Sequence, residues 1–162
     1  MTDHDTSTEA AARWSFRRSI ADRPALWAAI GALLVFALVQ LVPYGVSNPS
    51  RRATVPWDSP QTEALFVRAC ADCHSNATRA QWYEHVAPVS WWIKGHVDDG
   101  RAALNVDAWP NMGEGGGDAA ATVRDGSMPP SYYTWFGLHG AAKLSAAERT
   151  ALEKGLLATF AR

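Results

Sequence analysis

Cys70-Ala71-Asp72-Cys73-His74 is the stretch on which the reading of this chain turns. Its two thiols lie three positions apart and are the only cysteines among 162 residues. A disulfide framework uses more cysteines and longer loops, so this pair points to chemistry or to holding something. C-x-x-C-H is the spacing at which two thiols reach two vinyl groups on one side of a porphyrin and form thioether bonds. The next residue, His74, then lies beneath the iron and offers a ring nitrogen. The expectation is one covalent haem c, held by Cys70 and Cys73, with His74 as proximal iron ligand. Three other readings stay open. A zinc site could use both thiols and His74, although no second C-x-x-C exists. A redox dithiol is expected beside a βαβ pattern, which is missing. The pair could also be a structural coincidence.

Working outward, haem iron in electron carriers usually takes a second axial ligand from Met or His. Met128 is the favoured candidate, within Gly126-Ser127-Met128-Pro129-Pro130. Two prolines stiffen the backbone after it, so the thioether can be held with little entropy loss. It precedes the final predicted helix, the order of haem helix, Met loop and C-terminal helix seen in many cytochromes c. Its plainer role is a loop-packing methionine. Met112 sits beside a glycine run and makes a poor rigid ligand. His85 is the strongest histidine rival, with a propionate hydrogen bond or a surface position as its other roles. His96 and His139 read as surface or structural.

Upstream, Ala25 to Val42 is almost wholly apolar, ALWAAIGALLVFALVQLV, between Pro24 and Pro43. As a helix it covers roughly 27 Å, just enough for a hydrocarbon core. Trp27 and Tyr44 fall near its edges, as interfacial aromatics do. Arg13, Arg17, Arg18 and Arg23 precede it, against Arg51 and Arg52 after it, which favours a cytoplasmic N-terminus. The expected organisation is a disordered cytoplasmic tail over 1–23, a single transmembrane helix over 24–43, a linker over 44–57 and a haem domain over 58–162. A cleaved signal peptide fits less well, because its apolar region is shorter and ends in an A-x-A-like site. A buried core helix also fits less well, given the flanking arginines.

The rest reads as helices and loops, without alternating strand patterns. Ser59-Pro60 starts a helix that runs through Leu65, Phe66 and Ala69 to Cys70. A second helix is expected from near Pro88 to near Gly100. A third runs from about Asp118 to Arg124, closed by Gly126. Ser145-Ala146-Ala147-Glu148 is a capping box followed by Leu152, Leu156 and Phe160 at helical spacing. Met112 to Gly117 reads as a flexible loop. Eight tryptophans suggest either ordinary aromatic packing or a pocket for a large flat cofactor. The net charge of −1, with acids and bases interspersed, argues against a nucleic-acid partner.

Pro56-Trp57-Asp58-Ser59-Pro60-Gln61, Cys70-Ala71-Asp72-Cys73-His74-Ser75-Asn76, Trp82-Tyr83, His85-Val86-Ala87-Pro88-Val89-Ser90-Trp91 and Met128-Pro129-Pro130 together resemble the haem-binding-domain family of bacterial monohaem c-type cytochromes. The resemblance covers roughly residues 45–160. It implies an all-α, cytochrome c-like domain with Trp82, Tyr83 and Trp91 lining or bracing the haem pocket. The glycine-rich segment 113–117 looks like a local elaboration of the family pattern. The expected function is one-electron transfer at the bacterial inner membrane, with the haem domain periplasmic and no bond-making chemistry of its own. Its partners would be membrane-bound or periplasmic redox proteins, plus the lipid bilayer through residues 25–42. A peroxidase-like haem or a gas or redox sensor would need an open or displaceable sixth position.

Overall fold

The computed structural model describes residues 23–160, so all but the last residue of the expected tail over 1–23 lies outside the described residues. All regular structure among the described residues is helical, as expected. The chain divides into two units, one ending at Pro43 and one beginning at Tyr44.

In the first unit, helix α1 spans Pro24–Val39, with Pro at its start and no buried residue. The expected membrane span over 24–43 is therefore corrected. The helix has 16 residues, roughly 24 Å at the helical rise. Among the described residues, no helix is long and apolar enough to cross a membrane. At its end the Gln40 side chain donates to the Phe36 carbonyl at 3.0 Å. Leu41 and Val42 then donate to Leu38 and Val39 as turns rather than as α-helix. Pro43 disfavours helical geometry in the residue before it.

The second unit is built on two helices whose buried residues share a spacing. Helix α2, Pro60–Ala69, buries Thr62, Leu65, Phe66 and Ala69. The C-terminal helix, α6, Ala146–Phe160, buries Leu152, Gly155, Leu156 and Thr159. Both sets follow i, i+3, i+4, i+7, so each helix turns one stripe inward. The stripes meet at Gly155, where an added Cβ would lie 2.6 Å from Thr62 Cγ2. Only glycine lets the two helices approach this closely. The hydroxyl of fully buried Thr159 accepts from the Asp58 amide at 3.1 Å and donates to the Asp58 carboxylate at 3.3 Å.

Between them lie α3 (Ala71–His74), α4 (Val89–Ala103) and α5 (Ala119–Asp125), joined by short 3₁₀ turns. Helix α4 starts beside Pro88, and α5 ends at Gly126 in the left-handed conformation, φ 84°. Two segments differ from expectation. The glycine run does not form an open loop. A Cβ on Gly113 or Gly115 would come within 2.6 or 2.7 Å of the Ala103 carbonyl oxygen. The absence of side chains thus serves close packing against the end of α4, and Met112 beside it is buried in the core. The 44–57 segment is likewise no loose spacer. Arg101 donates to the Ser47 carbonyl at 2.7 Å, Asn48 exchanges hydrogen bonds with the Thr78 backbone, and Trp57 packs 5.0 Å from the Phe66 ring.

The capping box of α6 is formed. The Ser145 amide donates to Glu148 Oε2 at 2.8 Å, and the Glu148 amide donates back to Ser145 Oγ at 3.3 Å. Arg68, at the end of α2, donates to Glu148 Oε1 at 2.6 Å. The Ser145 amide first, then Arg68, holds the Glu148 carboxyl down at about 2. A carboxyl lowered in the folded state stabilises it above its ordinary value and loses that contribution as pH falls through the folded one. Glu148→Gln is expected to flatten the loss of stability between pH 4.5 and about 2. Urea unfolding at a series of pH values across that window measures it.

Candidate cofactor site

The chain breaks helix at Cys70, whose φ of −126° ends α2, and restarts at once as α3. The amides of Cys73 and His74 both donate to the Cys70 carbonyl, at 3.2 and 3.0 Å. This tight turn sets Cys70, Cys73 and His74 on the wall of one cavity of about 620 Å³. Helix α4 supplies the adjoining wall through Trp92, Ile93, His96, Val97 and Gly100. At Gly100 an added Cβ would stand 2.7 Å from the Cys73 carbonyl oxygen and 3.0 Å from Cys73 Cβ. Gly100→Val is expected to cost about 1–3 kcal/mol by overpacking and to shift the 70–74 turn. Denaturant unfolding and cofactor-to-protein ratio check the two effects.

His74 Nδ1 donates to the Leu104 carbonyl at 3.0 Å, because a carbonyl can only accept. Burial pushes the His74 pKa down against the raising effect of backbone hydrogen bonds. The result is a neutral imidazole whose Nε2 keeps its lone pair, the state a metal ligand needs. Burial also pushes the thiol of Cys70 up to about 12 and that of Cys73 up to about 11, with the Asp72 and Glu84 charges adding to the latter. Redox dithiols work through a stabilised thiolate, and this environment does the opposite. Among the described residues, no group of three or more His, Cys, Asp or Glu is placed to hold a metal ion. The zinc reading therefore lacks a ligand set.

Met128 lines the same cavity. Its amide donates to the Thr122 carbonyl at 3.0 Å, and its carbonyl accepts from Arg149 at 3.1 Å. Helices α5 and α6 thus hold its backbone from two sides. Two thiols, a neutral imidazole and a thioether share one cavity with Phe66, Val97, Leu104, Val123 and Leu156. An apolar cavity of this size with a few convergent polar groups suits a large flat cofactor, and the donor set suits haem.

A family model described as a haem-binding domain matches residues 34–158. The chain belongs to the haem-binding-domain family. No curated protein and no solved structure matches it.

Within this haem-binding domain the expected aromatic lining is only partly in place. Tyr83 lines the cavity, whereas Trp82 is 78% exposed and neither it nor Trp91 forms part of the wall. The helical period explains Trp91. Positions 92, 93, 96, 97 and 100 of α4 face the cavity, and 91 falls on another face. His85 is exposed and outside the wall, while His96 and His139 are in it. Of the other tryptophans, Trp57 and Trp109 pack against the core, and Trp135 is exposed.

The haem-binding domain also carries a polar cluster that sequence reading missed. His139 Nε2 lies 3.1 Å from Tyr83 Oη and 3.3 Å from Glu84 Oε1. The His139 ring stacks on Tyr133 at 4.0 Å, and the Tyr133 hydroxyl donates to Asp72 Oδ2 at 2.7 Å. Burial and that bond push the Tyr133 pKa up. The one sequence signal was the Gln81–Glu84 spacing, which forms a capping box that keeps Glu84 inside.

Proposed function

We propose that this haem-binding domain is a one-electron carrier whose single haem c is held by Cys70 and Cys73, with His74 and Met128 as axial ligands. The observation that carries the reading is the pairing of His74 and Met128 in one apolar cavity. His74 is neutral and anchored through Nδ1, and the Met128 backbone is held on both sides. When bound, haem supplies a one-electron couple, which a Met ligand raises relative to paired histidines. The residues of the chain do the rest. The two half-buried thiols would attach the group, His74 would offer the lone pair directed by the Leu104 carbonyl, and the apolar wall would limit water. The chain itself makes and breaks no substrate bond in this reading.

The 16-residue apolar helix α1, none of it buried, supports association with a lipid bilayer. Such association would hold the haem domain near membrane-bound redox partners at high effective concentration. Flotation of the full chain with anionic liposomes tests this; a chain that stays at the bottom of the gradient excludes lipid as a partner.

Absorption spectra of the purified chain test the central reading. Low-spin ferric and ferrous spectra with a ferric Met–iron charge-transfer band are the expected result. A high-spin ferric spectrum would favour the second reading, a peroxidase-like or sensing haem with a displaceable sixth ligand. The presence of His96 and His139 in the cavity wall supports that alternative.

A further inference from the structure

A buried acid, an imidazole and a phenol meet in the wall of an otherwise apolar cavity. The side chains of His139 and Glu84 are only 12% and 4% exposed. Glu84 Oε2 is occupied by the Gln81 amide at 2.9 Å, so Oε1 is the oxygen left to face His139. The three atoms Tyr83 Oη, His139 Nε2 and Glu84 Oε1 cannot all be satisfied in one way. With a proton on Nε2, His139 donates to Glu84. Without it, the Tyr83 hydroxyl donates to Nε2, and Glu84 Oε1 faces a lone pair unless it is itself protonated. Whether Nε2 carries a proton therefore sets which hydrogen bond forms, and a further proton on the His139–Glu84 pair changes the charge of the cluster.

Other charged and titratable groups around the cluster come from several elements. Tyr83 shares the 3₁₀ turn of Glu84, together with exposed His85. Tyr133 stacks from the 131–137 segment, and Asp72 and Cys73 face it from α3. Arg79 pairs with Asp72 at 3.3 Å on the outer side and is mostly exposed. Among the described residues, Glu84 has His139 as its ion-pair partner, so the cluster's charge changes with the proton on that pair. The stack of His139 on Tyr133 and the Tyr133–Asp72 bond tie the cluster to the turn that carries both cysteines.

We propose that the Glu84–His139–Tyr83 cluster is a proton-binding site coupled to the charge of the cavity cofactor. This rests on the electron-carrier reading. On reduction, one electron enters from an external one-electron donor and one proton enters the cluster from water. The added negative charge in the cavity is thereby balanced in its wall, where low dielectric makes such balance effective. Proton binding tightens on reduction, so the reduction potential must fall as pH rises.

The test is a potentiometric titration of the full-length holoprotein at a series of pH values on either side of neutrality. Full coupling changes the reduction equilibrium tenfold per pH unit, which is about 59 mV for one electron. Glu84→Gln and His139→Gln are each expected to remove most of this slope. In case a variant fails to fold, a pH-indicating dye in weakly buffered wild-type protein reads proton uptake on reduction directly. Bound haem with a flat potential and no proton uptake overturns this inference alone. A slope unchanged in both folded variants does so as well. Absence of attached haem overturns the electron-carrier reading with it.

Discussion

Replacing both Cys70 and Cys73 by alanine is expected to reduce haem staining of the denatured chain to background, even in cells competent for c-type maturation. The geometry makes this the largest expected effect. Both thiols lie on one wall of the cavity, one turn apart, and covalent attachment has no other cysteine to use. Cys70→Ala alone leaves Cys73 as a single attachment point and should weaken the stable holoprotein sharply without the full loss. Because both thiols are half-buried and their pKa values are raised, neither substitution removes a charge or a salt bridge. The apoprotein should therefore keep its helical far-UV signature, with a packing loss on the scale of a small buried side chain, about 1 kcal/mol. Strong haem staining in the double variant would rule out thioether attachment and leave only a non-covalent haem.

Met128→Ala acts on the opposite requirement. It should leave the haem attached, open the sixth position and convert a low-spin ferric spectrum to a high-spin one. Loss of the thioether should also lower the potential, since axial ligand identity is the strongest lever a protein has on haem potential, over a range of about 0.8 V. The Arg149 and Thr122 bonds to Met128 use its backbone, so they survive the substitution and keep the loop in place. An unchanged low-spin spectrum would transfer the ligand role elsewhere, with His96 and His139 the histidines already in the wall. A readily bound external ligand such as carbon monoxide in the variant, absent in the parent, would complete the case for Met128.

The two substitutions probe parts of the site that were legible to very different degrees. Ser59-Pro60, Gly126 and Ser145–Glu148 marked helix ends correctly because capping depends on residues within one turn of each other. The same locality made Cys70, Cys73 and His74 readable as a unit. Trp91 was a different matter. It stands next to Trp92, and only the rotational setting of α4 against α3, permitted by Gly100, decides which of the two faces the cavity. The glycine-rich segment 113–117 carries the composition of a loose loop, yet Gly113 and Gly115 are pressed on the Ala103 carbonyl, where an added Cβ would collide. Glycine signals both flexibility and close approach, and composition does not separate them.

By itself the sequence determined the all-helical character of the domain, the grouping of Cys70, Cys73 and His74 on one short turn, and the cap of the last helix. Each depends on covalent spacing or on hydrogen bonds across three or four residues. It also marked an apolar segment ahead of the domain, but not its helical length of 16 residues. Only the tertiary structure decided that the Leu104 carbonyl orients His74, that Met128 is held between α5 and α6, and that His139 meets Glu84 and Tyr83. Apart from the Met128–Thr122 bond, those contacts join residues 21 to 56 positions apart. They arise from burying the stripes of α2 and α6 against each other and closing α4 over the 70–74 turn. No local pattern of residues encodes that arrangement.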